Sequence, residues 1–184
     1  MSDQSSELTS VQSLDYRAVN IIFDPLKVSG LPVPVLTFRG CKATRAGTFA
    51  IPNNAITPVQ WNSELFDTDA FHSGGGANPE RITIPSGVGL PALGVYAVVS
   101  MLYFAQDGTG TRAAGFRVNG VGGVAVEVAT NPNPRGTGLA ICDIFQLAPN
   151  DFVDVIAFQT SGGNLNIVAT TGQTPSFSLY LIGQ

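Results

Sequence analysis

Gly94-Val-Tyr-Ala-Val-Val-Ser-Met-Leu-Tyr-Phe104 decides how the rest of this chain is read. β-Branched and aromatic residues dominate it, and it holds no charge and no proline, so it fits a strand inside a sheet. Side chains alternate along a strand. Val95, Val99 and Met101 fall on one face; Tyr96, Val98, Leu102 and Phe104 fall on the other. A strand apolar on both faces is buried on both, so one side meets the core and the other needs a second cover. An extra layer, the N-terminal arm or another subunit would serve. We favour a subunit, with Tyr96, Val98, Leu102 and Phe104 expected at a trimer interface, because tyrosine brings apolar area and keeps a polar tip.

Outward from this run the pattern repeats as strand, turn, strand. Strands are expected over 41–46, 56–61, 81–84, 93–106, 112–119, 121–129, 137–147, 151–159, 164–170 and 175–183. Pro52-Asn-Asn54, Asn131-Pro-Asn-Pro-Arg-Gly136, Pro149-Asn-Asp151 and Ser161-Gly-Gly-Asn164 supply turn chemistry between them. Phe177, Leu179 and Leu181 share one face, as do Phe116 and Val118, while Arg117 and Asn119 point the other way. No window has a helical period. The chain is therefore expected to be all-β, a sandwich or jelly roll.

Residues 1–38 differ from the rest. Positions 1–14 are small and polar. Val19, Ile21, Ile22, Phe23, Val33, Val35 and Phe38 follow, interrupted by Pro25, Pro32 and Pro34, which forbid a helix. We expect an extended arm over 1–38, its apolar positions serving as an anchor, and one domain over 39–184.

Composition narrows the function. A chain of 184 residues can bury about 70% of its unfolded surface and needs no metal or disulfide to fold. Charged residues make up 12%, against about 25% in an average soluble domain. So few charges favour a chain whose surface is partly covered by others. The net charge is −4 with no basic run, so nucleic acid is not an expected partner. There is no apolar stretch of bilayer length and no N-terminal basic-then-apolar leader, so neither a membrane nor secretion is expected. Cys41 and Cys142 lack metal-ligand spacing and are expected as buried or partly buried thiols, a single disulfide being the alternative.

The chain also lacks catalytic equipment. His72 is its one histidine and sits beside a glycine run, as a loop residue does. No nucleophile elbow exists. Gly108-Thr-Gly-Thr-Arg-Ala-Ala114 precedes a strand and is expected to be a hairpin turn, not a dinucleotide loop. Glu64, Asp67, Asp69 and His72 crowd one loop; calcium would take oxygen ligands at such spacing, but the carboxylates are too few for a full shell. Asp151 and Asp154 are expected to serve a turn and an exposed strand face. We expect no enzyme, no metal and no cofactor.

Taken in order, Arg81–Pro85, Gly94–Val99, Gly115–Gly120, Leu147–Val155 and Phe177–Gly183 resemble the tumour necrosis factor and complement 1q-like superfamily. Gly94-Val-Tyr96 matches its central strand, and Leu147–Val155 its Leu-x-x-Gly-Asp-x-Val-x-Val hairpin. Asn150 stands where that motif has glycine, and asparagine tolerates a positive φ. The resemblance covers residues 39–184 and implies a ten-stranded jelly roll assembled as a homotrimer. Ile51–Asn54, Phe66–His72, Asn78–Pro85, Ser161–Asn166 and Pro175–Phe177 are similar to the version found in tailed-bacteriophage structural proteins. That branch implies a virion component made in the host cytoplasm, partnered by the major capsid protein or other virion proteins. A capsid decoration protein or short head fibre is expected. The alternative is a tail-associated module recognising a host glycan or protein, which exposed loop aromatics such as Phe66 and Phe71 would favour.

Overall fold

The computed structural model describes residues 38–129 and 136–184. The anchor positions Val19, Ile21, Ile22, Phe23, Val33 and Val35, and the turn at 131–135, lie outside the described residues; Phe38 lies within them.

Thirteen strand segments occur among the described residues: β1 (Gly40–Thr44), β2 (Phe49–Ile51), β3 (Thr57–Pro58), β4 (Ser63–Asp67), β5 (Arg81–Thr83), β6 (Gly94–Phe104), β7 (Thr111–Val118), β8 (Val121–Gly122), β9 (Val126–Ala129), β10 (Thr137–Leu147), β11 (Phe152–Gln159), β12 (Leu165–Ile167) and β13 (Ser176–Gly183). They form two antiparallel sheets. In the first, β10, β6, β13, β1 and β4 lie side by side, with β12 and β2 continuing from the end of β6 through the Ile167–Phe104 pairing. In the second, β3 and β5 both flank β11, β11 pairs β7, and β8 and β9 both pair β7.

The expected strands recur with small shifts, and three differences have physical causes. The expected 121–129 strand breaks into β8 and β9 across Gly123–Ala125, with the Ala125 N–H donating to the Ala114 carbonyl at 2.8 Å. β4 falls where the sequence suggests loop, because Ser-Glu-Leu-Phe-Asp shows no buried alternation: all five side chains are exposed or half-buried on an edge strand that pairs only β1. Gly108–Ala114 is not a hairpin turn: Thr111–Ala114 open β7, and because β6 and β7 belong to different sheets, residues 105–110 cross between them. Arg112, fully buried, pins that crossover by donating to the carbonyls of Asp107, Thr109 and Thr111 at 2.8–3.0 Å. Nothing in the sequence pattern marks Arg112 as a buried cation.

Turn chemistry acts where expected. Asn150 adopts φ 75°, and its turn closes when the Ala148 N–H donates to the Asp151 carboxylate at 2.8 Å. Asn119 and Gly120, at φ 52° and 76°, join β7 to β8 as a tight two-residue turn requires.

The core lies between the sheets. Trp61 packs on Phe177, with ring centroids 5.7 Å apart, Phe177 on Phe116 at 6.2 Å, and Phe116 on Phe145 at 6.1 Å. Each such ring or aliphatic side chain contributes about 1.5–3 kcal/mol on burial.

Candidate functional site: an uncharged sheet face

β6 alternates without error. Gly94, Tyr96, Val98, Ser100, Leu102 and Phe104 point inward and are buried; Val95, Ala97, Val99, Met101 and Tyr103 point outward. Tyr96, Val98, Leu102 and Phe104, expected at a trimer interface, are 0, 0, 0 and 1% exposed and belong to the core of a single chain. That expectation is corrected: they bind one sheet to the other. Both faces are apolar, so the sequence cannot say which is inside, and the tyrosine argued for the wrong one. The Tyr96 ring fits inward because residue 94 is glycine; a Cβ there would stand 2.8 Å from both Tyr96 Cε2 and Leu181 Cδ1. This accounts for the Gly-x-Tyr pattern physically. The Tyr96 hydroxyl is buried with no hydrogen-bond partner, and burial pushes its pKa upward, partly offset by Arg39.

The outward face is therefore the surface to consider. Register sets Ala140, Cys142 and Ile144 of β10 beside Met101, Val99 and Ala97 of β6. On the other flank, Ser176, Ser178 and Tyr180 of β13 stand beside Met101, Val99 and Ala97. None of these side chains is charged. Val99 is 37% exposed, Met101 41% and Ile144 61%. Beyond β13, Phe38 packs on Phe66 and Tyr180, with centroids 5.4 and 6.2 Å away, and remains 54% exposed. Lys42 of β1, opposite Ser178 and Phe66, brings the first charge. Apolar surface exposed without any charge beside it is uncommon on globular domains and makes this face the candidate site.

The carboxylate cluster is otherwise employed. Asp67 accepts the N–H groups of Asp69, Phe71 and His72 at 2.8–3.3 Å. Asp69 takes a two-pronged contact from Arg39 at 2.6 and 2.7 Å; burial raises its pKa, but that contact and the Thr68 hydroxyl outweigh it, and the net shift is downward. Glu64 accepts from the Gly74 N–H at 2.9 Å and meets His72 Nδ1 at 2.8 Å, and both hold its pKa below the ordinary carboxylate value. His72 lies in a loop, as expected, but is buried there, and its other ring nitrogen faces the Pro79 carbonyl at 3.2 Å. Each carboxylate thus has donors of its own, and among the described residues no group of three such side chains could hold a metal. Asp154, expected on an exposed face, is 3% exposed and paired with Arg117 at 2.7 Å.

Both cysteines are free; Cys41 is buried and Cys142 exposed. β1 and β10 stand three strands apart, about 14 Å, too far for a disulfide. Burial, with Asp67 and Glu64 nearby, pushes the Cys41 thiol well above its usual pKa.

No family model matches the sequence, and no curated protein does either. Solved structures do. Murine APRIL at pH 5.0 superposes with a TM-score of 0.53 at 11% identity, covering 79% of this chain and 100% of that one. Murine APRIL at pH 8.0 gives 0.54 at 13% identity, covering 79% and 100%. Eiger TNF from S. frugiperda gives 0.51 at 12%, covering 80% of this chain and 94% of that one. At such identities the likeness establishes the fold alone: residues 38–129 and 136–184 form a tumour necrosis factor-like jelly roll.

Proposed function

We propose that this chain is a non-enzymatic structural protein that self-associates as a homotrimer through the outward face of β10, β6 and β13. The observation that carries the reading is the absence of charge on that face, combined with the exposure of Val99, Met101 and Ile144. Leaving such side chains in water forfeits about 25 cal/mol per Å² of apolar area that a second copy would cover. The similarity of Ile51–Asn54, Phe66–His72 and Asn78–Pro85 to the tailed-phage form of the domain supports a place in a virion, assembled in the host cytoplasm. Within it, a capsid decoration protein or short head fibre attached through residues 1–38 fits best, with the major capsid protein or another virion protein as partner. The tail-associated alternative keeps only part of its argument from exposed aromatics, since Phe71 is 2% exposed, whereas Phe66 is 37% exposed but stands on a strand.

Light scattering on the purified chain tests the assembly: a mass near three times 19.2 kDa is expected, and a monomer at micromolar concentration rejects it. Deleting residues 1–38 tests the attachment: a soluble trimer that no longer sediments with capsids is expected, and undiminished capsid binding rejects the arm as anchor.

A further inference from the structure

On the outward side of the second sheet, β11 lies between β5 and β7, and register sets Arg81, Asp154 and Arg117 in a row across the three strands. Arg117 grips Asp154 with two prongs, Nε to Oδ1 at 2.8 Å and an Nη to Oδ2 at 2.7 Å. Arg81 does not join them. Its guanidinium lies over the Phe152 ring, 4.4 Å from the centroid, and its Nε is buried without a hydrogen-bond partner. Stacking holds this planar donor fork in place before any ligand arrives, so little side-chain entropy remains to be lost on binding. Glu80, Gln60 and Phe49 complete the walls of a cleft of about 430 Å³, within the range of about 300–1,000 Å³ typical of small-ligand sites.

The chemistry of the walls limits the occupant. Two guanidiniums and two carboxylates cancel, so the cleft has no net charge with which to select an ion, and an anion would meet Glu80. A wholly apolar ligand would strip water from Arg81 and Glu80 without replacing it. A hydroxyl-rich ring satisfies both demands, its hydroxyls matching the guanidinium, carboxylate and amide, and its C–H groups meeting the parts of Phe49 and Phe152 left uncovered by the Arg45 and Arg81 guanidiniums that lie over those rings. We propose that this cleft binds a neutral saccharide unit. The inference goes beyond the assembly reading and does not rest on it, since it concerns the opposite sheet.

The test uses the full chain in saturation-transfer NMR and calorimetry. The probes are glucose, galactose and N-acetylglucosamine, with glucuronate and inorganic phosphate as anions and glycerol as a featureless polyol. At least one neutral pyranose is expected to bind with a Kd of about 1 mM. Arg81→Gln and Glu80→Gln are each expected to weaken it roughly tenfold without changing particle mass or the cooperativity of the melt. Should either variant misfold, Gln60→Ala at the exposed rim carries the same expectation. Four outcomes overturn the proposal: no neutral sugar binds; glycerol binds equally well; the variants retain full affinity; or only glucuronate or phosphate binds, which makes the cleft an anion site. Particle mass and sugar binding are separate readouts, so failure of one reading leaves the other standing.

Discussion

Val99, Met101, Cys142 and Ile144 look out from one sheet of this sandwich; Arg81, Phe152, Asp154 and Arg117 look out from the other. Both surfaces rest on the same inward packing, so the fold does not dictate what either presents. The first surface offers only apolar and small polar groups, which gain by exclusion of water and suit a flat, dry contact. The second offers fixed charges already matched to one another, which suit a wet cleft. Period-two alternation lets the two demands coexist, because changing an outward residue leaves its inward neighbours untouched.

Placing a charge on either side of β6 breaks the comparison most severely. Val98→Asp buries an unpaired carboxylate at several kcal/mol, a large share of the roughly 5–15 kcal/mol that holds a domain folded. We expect no cooperative thermal transition by circular dichroism; a normal melt would mean that the inward face is not core. Ile144→Asp, on the outward face of the neighbouring strand, should keep that melt and lose the trimer, weakening association by about 3–5 kcal/mol, with light scattering as the readout. Asp154→Asn probes the other sheet. It removes the partner of Arg117, whose side chain is 24% exposed, so the loss is discounted to about 1–2 kcal/mol, measured as a lower urea midpoint with mass unchanged.

Acid sharpens the contrast between the loops and the dry face. Glu64, Asp69 and Asp151 all have folded pKa values below their ordinary ones. The unfolded chain therefore binds more protons in acid. The stability these groups supply is complete above an unfolded pKa of about 4 and drains as pH falls through the folded values. A melting temperature that declines below about pH 4, less steeply in Asp151→Asn, is expected. The smallest effect is a gain: Tyr96→Phe removes a buried hydroxyl that has no partner and should raise stability by about 1 kcal/mol. A loss of that size would mean that the hydroxyl is satisfied after all.

Much of the fold was legible from residues 39 to 184. Valine-rich runs gave β6 and β11, and Asn150 gave a positive-φ turn. β4 escaped because an edge strand with five exposed or half-buried side chains leaves no periodic trace. The proposed contact face was legible only in part: alternation showed that β6 has two apolar faces, yet which one is inward depends on the Gly94–Tyr96 fit, a three-dimensional fact. The Arg81–Asp154–Arg117 row was invisible for a similar reason, since its neighbours lie 73 and 37 positions apart and meet only through register.

Cys142 stands outward on β10, opposite Val99, while Cys41 is sealed in the core. The chain thus carries one accessible native thiol, set in the middle of the surface proposed to be covered by a neighbour. Its rate of alkylation becomes a footprint of assembly: fast when subunits part, slow when they close, and readable by mass spectrometry at concentrations far too dilute for scattering.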